Sequence, residues 1–359
     1  MMRVLYDGWA LVYQPEHPAA LHLLALLENL PVEVEPVVVL PSQPPAWLPS
    51  SAQAYIFPTR AGLPNRLRWE QLTLPQIFGR VQADLFHLTS PNPPLFGLSR
   101  MIVSPAGYGD LDHHEGFLGR LRRALSAGGM VRARALAWPA DLPCLQAEQE
   151  VFFLPPLMPA IFQSKDANTL PPEAGLDLPE TFVLYHGPQS ETDLRRLLQA
   201  WTWAAGPIGE YYPLLLVGLG KSGRLLLAEL CAEYGVSETV RALKQVSPDQ
   251  LARIYRGCSA LFHPCPESPW GGSVRCALAC GKPIVAYESP LMDALIGPAG
   301  YLVPPGLARP LGAALITVIV EQVISEQLAQ AALRRAASWD KSGFGPALLT
   351  AYQSVIYSP

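Results

Sequence analysis

The amino-acid sequence predicts an α/β protein made of two doubly wound, Rossmann-like halves. Short apolar runs alternate with longer stretches of helical period, the pattern of parallel strands flanked by helices. That series occurs twice, on either side of a polar, proline-bearing stretch, SKDANTLPPEAGLDLP. The length of 359 residues exceeds one ordinary domain, and with 50% hydrophobic and 16% charged residues there is material for two cores.

In the first half the strands are RVLY from Arg3, VEPVVVL from Val34, DLFHL from Asp84, RMIVS from Arg100, RALAW from Arg134 and EVFFL from Glu150. Helices start near Pro18, Trp69 and Gly116. The second half reads FVLYHG from Phe182, a helix from Glu191, YPLLLVG from Tyr212, a helix from Gly223, VRALKQV from Val240 and a helix from Pro248. ALFHP from Ala260, a helix near Gly271, PIVAY from Pro283 and YLVPP from Tyr301 follow, with three closing helices. The domains are therefore expected at 1–165 and 181–341, with a linker over 166–180 and a terminal segment over 342–359. Ligands of such sheets bind beyond the carboxyl ends of the strands.

A net charge of −4 and a pI near 6 supply no overall field for nucleic acid, so none is expected as a partner. The 38 prolines cluster in short connections such as PSQPPAWLPS, which reads as rigid loops. The opening MMRVLYDGWALVY reads as a first strand and not as a signal peptide, and LGAALITVIV from Leu311 is too short to span a bilayer. A soluble, cytoplasmic protein is expected. Cys276 and Cys280 lack a second pair at metal-binding spacing and read as buried small side chains, so no metal is expected.

Several stretches have the composition of a ligand site. LVGLGKSG, holding Gly218 and Lys221, follows a strand and opens a helix: either an anion site or a tight β–α turn. WGGS from Trp270 repeats that arrangement, and the N–H groups of Gly271, Gly272 and Ser273 fit a diphosphate cradle or a plain helix start equally well. Arg120, Arg122, Arg123, Arg132 and Arg134 crowd one stretch, reading as a solvated helix face or as a contact for anionic lipid at the inner face of a membrane. His113 and His114 are candidate acid–base groups, and His87, His186 and His263 sit at strand ends.

The order of these pieces resembles a known family. WEQLTLP from Trp69, ADLFHLTSPNPPL, VSPDQLARIYRGCSALFHPCPES, WGGSVRCALACGKPIVA, SPLMDALIGPAGYLVPP and RRAASW are similar to the run of motifs in bacterial glycosyltransferases of family 4. The resemblance implies a GT-B fold, two Rossmann-like domains facing a cleft, with the last helix crossing back onto the first. It implies a retaining, metal-independent hexosyltransferase that needs no cofactor beyond its donor, a nucleotide-diphosphate sugar, and passes the sugar to a glycan or lipid-linked acceptor. On that reading Gly271, Gly272 and Ser273 hold the diphosphate with help from Arg195, Arg196 or Lys221. Glu267, with Ser268 beside it, meets the sugar, while Val246 and Gly218 flank the base and Gly187 closes the second half's first strand.

The chain departs from the family pattern in several separate motifs. Ser268 and Cys276 stand where two glutamates are usual, and a thiol cannot accept two hydroxyl bonds as a carboxylate does. Pro188 stands for an arginine and Thr192 or Asp193 for a lysine that neutralise the leaving diphosphate. Gly109-Asp110-Leu111 replaces His-Asp-Leu, leaving Asp110 with His113 or His114 as the catalytic candidates. These losses favour a second reading, a catalytically inactive GT-B protein that binds a sugar or glycan or acts as a scaffold.

Overall fold

A computed structural model describes residues 1–96, 100–108, 116–144, 148–163 and 176–357. The described chain forms two units. Met1–Pro159, Ser268–Gly272 and Asp340–Pro359 make the first, and Ala160–Glu267 with Ser273–Trp339 the second. The terminal segment thus belongs to the first unit, as does a five-residue excursion from the middle of the second half. The helix Ala160–Gln163 belongs to the second unit, and the expected linker is described only from residue 176.

Among the described residues, the strands of the first unit are β1 (Met2–Asp7), β2 (Val34–Leu40), β3 (Gln53–Ile56), β4 (Leu85–Leu88), β5 (Met101–Val103), β6 (Ala135–Pro139) and β7 (Glu150–Leu154). They pair in parallel in the order β3-β2-β1-β4-β5-β6-β7. The two-residue period divides the side chains cleanly. Val4, Tyr6, Val38, Leu40 and Ile102 join one core with Phe344, Leu348, Tyr352 and Val355 of the closing helix Phe344–Tyr357. Leu5, Val37, Val39, Phe86 and Val103 face the other side, against Trp9, Trp69, Leu74 and Ile77.

The second unit has β8 (Val183–Tyr185), β9 (Leu214–Leu216), β10 (Val240–Ala242), β11 (Ala260–His263), β12 (Ile284–Tyr287) and β13 (Gly300–Val303). These also run parallel, in the order β10-β9-β8-β11-β12-β13. Leu194, Leu197, Leu198, Trp201 and Ala204 line one face of the helix Glu191–Ile208 and pack on Tyr185, Leu216 and Phe262. Ser190 caps that helix by accepting from Asp193 N–H at 2.8 Å. Ser247 and Gln250 form a reciprocal capping box on the helix Pro248–Gly257.

Three elements differ from the sequence expectation. The opening stretch expected as a strand is one only over Met2–Asp7, and Trp9–Tyr13 forms a short helix. Strand β3 reads QAYI and is largely exposed at the sheet edge, so it carries no apolar signature. The helix expected from Trp69 begins earlier, as Leu63–Arg68, passes through a π turn at Trp69–Thr73 and ends as Leu74–Arg80.

Candidate functional site

Strands β8 and β11 are neighbours although their connections leave toward opposite edges of the sheet. That is a topological switch point, where crevices open at the carboxyl ends of the strands. His186 follows β8, and His263 ends β11 before the loop that carries Glu267.

A line of polar contacts joins these ends. His186 Nδ1 lies 2.6 Å from the Tyr255 hydroxyl, which donates to the Ser273 carbonyl at 3.1 Å. A hydroxyl that has donated its one proton accepts from the histidine, so His186 carries its proton on Nδ1. The Ser273 hydroxyl in turn donates to Glu267 Oε2, which also accepts from Val274 N–H at 3.4 Å. His263 Nε2 lies 3.7 Å from that same carboxylate oxygen.

His263 is fully buried, and neither ring nitrogen makes a hydrogen bond of good geometry. Burial pushes its pKa down, while Glu267, Asp193 and the His186 backbone act in the other direction. The Tyr185 ring stacks against it at 6.4 Å between centroids. The Cys265 thiol, 3.3 Å from the Tyr185 hydroxyl, is pushed up to about 12 by burial and by the nearby Asp193 carboxylate.

The residues singled out in the sequence fall into three groups. Glu267 and Ser273 are in contact, with Glu267 turned onto the first turn of the helix Gly272–Ala279. Gly187 closes β8 against Tyr185, Gly218 adopts a φ of +82° that only glycine takes easily, Lys221 is the exposed first residue of the helix Lys221–Tyr234, and Val246 is buried. Arg195 does not reach the helix start: its Nε donates to Glu191 at 3.0 Å and its Nη1 to Glu233 at 2.7 Å. Arg196 pairs with Asp193 at 3.4 Å; burial raises the pKa values of Cys265 and Tyr287, and Arg196 lies close enough to both to oppose that rise. Asp110, His113 and His114 lie outside the described residues.

Ser268, Gly271 and Gly272 pack within the first unit. The Ser268 hydroxyl donates to the Ala106 carbonyl at 3.1 Å, and the Gly271 N–H donates to the Ser268 carbonyl at 2.8 Å. The Gly271 N–H is thereby spent inside a turn and does not point at a ligand, a correction to the expected three-donor cradle. Gly271 has a φ of +57°, and a side chain on Gly272 would come within 2.4 Å of Pro18 Cβ. Trp270 is buried, donates to the Ala137 carbonyl at 3.2 Å and lies 4.1 Å from the His22 ring.

Arg122 is a second correction. It belongs to the exposed-looking arginine stretch, yet it is buried, with Nε and Nη2 on the Glu70 carboxylate at 3.0 and 2.8 Å. Glu70 also accepts from Arg66, which reaches Asp7 at 2.9 Å, and Trp69 Nε1 donates to Asp7 at 2.8 Å. The WEQ motif is therefore the centre of a buried charge network. Arg120, Arg123, Arg132 and Arg134 are exposed.

Cys276 is fully buried, and burial raises its pKa well above the usual thiol value. Cys280 is half-buried. Among the described residues no group of three or more metal-ligating side chains comes together. The sequence did not single out Tyr255, which links the two strand ends. Its only signal was a place on the apolar face of a strongly amphipathic helix, shared with ordinary core residues.

Residues 172–335 match the family model of glycosyl transferases group 1. Among curated relatives, a D-inositol 3-phosphate glycosyltransferase of Rhodococcus opacus is 29% identical over 50% of this chain and 42% of its own length. Another, from Streptomyces bingchenggensis, is 36% identical over 24% of this chain and 19% of its own. The chain thus spans less than half the length of the curated relatives it matches.

Among solved structures, WaaG, a glycosyltransferase involved in lipopolysaccharide biosynthesis, matches with a TM-score of 0.70 and 16% identity over 99% of this chain and 100% of its own. Anabaena HepE in complex with UDP and glucose matches at 0.66 and 17%, over 99% and 100%. At such identities the likeness speaks for the fold: it is of the GT-B type, with two parallel sheets flanked by helices.

Proposed function

We propose that the chain transfers a hexose from a nucleotide-diphosphate sugar to a glycan or lipid-linked acceptor, retaining the anomeric configuration and using no metal. The observation that carries this reading is the array of His186, Tyr255, Ser273, Glu267 and His263 at the β8–β11 switch point, inside the stretch that matches the family. In the second unit, Ser273 and Val274 at the helix start meet the diphosphate, helped by Arg196, and Gly218 with Val246 border the base. Lys221 and Arg195 stand further out, and Asp110, His113 and His114 remain the proposed acid–base and positioning groups of the first unit.

The exposed arginines of the helix Phe117–Arg132 support a lipid-linked acceptor. Arg120, Arg123 and Arg132 accompany exposed Phe117, Leu118 and Val131, a mixture suited to an anionic lipid surface. Among the described residues no single helix is long and apolar enough to cross a membrane. We place the protein in the cytoplasm, peripheral at the inner membrane face.

A second reading, a GT-B protein that binds sugar without turning it over, is favoured by one observation: Cys276, which stands where a glutamate is usual, is sealed in the core, and Arg195, one of the cations that could stand in at the diphosphate, is committed to two glutamates. Calorimetric titration with UDP, GDP and ADP, followed by transfer assays with the corresponding sugars, separates the two. Nucleotide binding with release of the sugar supports transfer. Sugar or glycan binding with no nucleotide heat supports the second reading.

A further inference from the structure

We propose that Glu267 is an internal anion seated on the start of the helix Gly272–Ala279, that a nucleoside diphosphate binds there only by displacing it, and that Glu267 thereby sets donor affinity. The inference rests on the nucleotide-sugar reading above. A helix start carries unsatisfied N–H groups and a partial positive charge, and both attract phosphate. In this chain the position is already taken. Glu267 Oε2 accepts from the Ser273 hydroxyl and from Val274 N–H at 3.4 Å, donors that a phosphate oxygen would otherwise use.

A second feature points to a ligand at the same place. His263 is fully buried 3.7 Å from Glu267 Oε2, and neither ring nitrogen makes a hydrogen bond of good geometry. Buried polar atoms are nearly always satisfied, and a gap of that length is one a hydroxyl or water bridges. The local charge agrees with a gate. Asp193 and Glu267 supply two carboxylates at these strand ends, and Arg196 is drawn onto Asp193. A diphosphate approaching the closed arrangement meets a like charge, whereas one that replaces the carboxylate takes over its donors. The displaced carboxylate is then available to accept hydroxyls of the transferred hexose, which reconciles its position with a role at the sugar.

The test uses the full chain and nucleotides without sugar, so that only the phosphate is read. UDP, GDP and ADP are titrated into wild type, Glu267→Gln and Glu267→Asp, with uridine as a phosphate-free control. The glutamine variant is expected to bind the preferred diphosphate roughly tenfold tighter or more, the worth of one charge-assisted contact. The aspartate variant, whose charge is withdrawn by one methylene, should fall between it and wild type, and uridine affinity should not move. Should the glutamine variant fail to fold, the aspartate variant carries the comparison. Diphosphate binding equal to or weaker than wild type in these variants overturns the gate and leaves the donor reading standing. No heat from any of the three folded proteins overturns the donor reading and the gate together.

Discussion

Tyr352 ties the first unit's last helix to its first strand through one hydroxyl, 2.9 Å from Tyr6 and 2.7 Å from His87 Nδ1, while His87 Nε2 reaches Ser104 at 2.8 Å. Removing that hydroxyl strands a buried ring nitrogen, so Tyr352→Phe should cost about 1–3 kcal/mol in urea unfolding. Burial pushes the His87 pKa down to about 3, against about 6.5 when unfolded. A lowered pKa contributes stability that is present above the unfolded value and lost as pH falls toward the folded one. The melting temperature of wild type should therefore drop more steeply than that of His87→Gln between pH 6.5 and 3, and parallel curves would contradict the neutral, buried histidine. Glu70 is the matching case for charge. Glu70→Gln takes from the buried Arg66 and Arg122 the carboxylate charge that both of them share, a change expected to cost about 3–5 kcal/mol. The WEQ motif was legible in the sequence as a motif, but its purpose was not: Arg122 lies 52 positions from Glu70, and nothing local announces the pairing.

The helix Phe117–Arg132 shows how far an element can be read from composition. Its arginine cluster was visible, yet the helical turn sends Arg122 inward while Arg120 and Arg123 face out. Exchanging Arg120 and Arg123 for glutamate should weaken sedimentation with phosphatidylserine vesicles by about 1 kcal/mol for each charge removed, leaving neutral vesicles unaffected. Binding unchanged by both exchanges would remove this helix from any lipid contact. The helix Gly272–Ala279 makes a second case. Its glycine opening and buried strand were plain in the sequence, but the destination of the Gly271 N–H was set by a turn onto Ser268 that no spacing reveals. On this helix and its neighbours, burial holds the Cys258 thiol up at about 12 and Cys276 well above the usual range. Alkylation of the native protein should accordingly mark the half-buried Cys144 well before Cys258 or Cys276. Strand β3 escaped notice for the opposite reason, because an exposed edge strand needs no apolar alternation.

At the scale of the whole molecule, the two sheets and nearly every strand were legible because fully parallel strands buried on both faces leave continuous apolar runs. The division into units was less so, because Ser268–Gly272 and Asp340–Pro359 join the first unit through contacts distant in sequence. A chain ending at Trp339 would leave Tyr6, Val38 and Ile102 without Leu348, Tyr352 and Val355 against them. Such a chain is expected to bind a hydrophobic dye and to lose cooperative melting, and a sharp unaltered melt would refute the helix's part in the core. The same arrangement imposes an order on biosynthesis. The amino-terminal sheet leaves the ribosome first, yet the turn around Trp270 arrives only after Ala160–Glu267 of the second unit, and the closing helix only after all of it. The half translated first is therefore completed last, and in the interval its sheet lacks the apolar side chains of the closing helix.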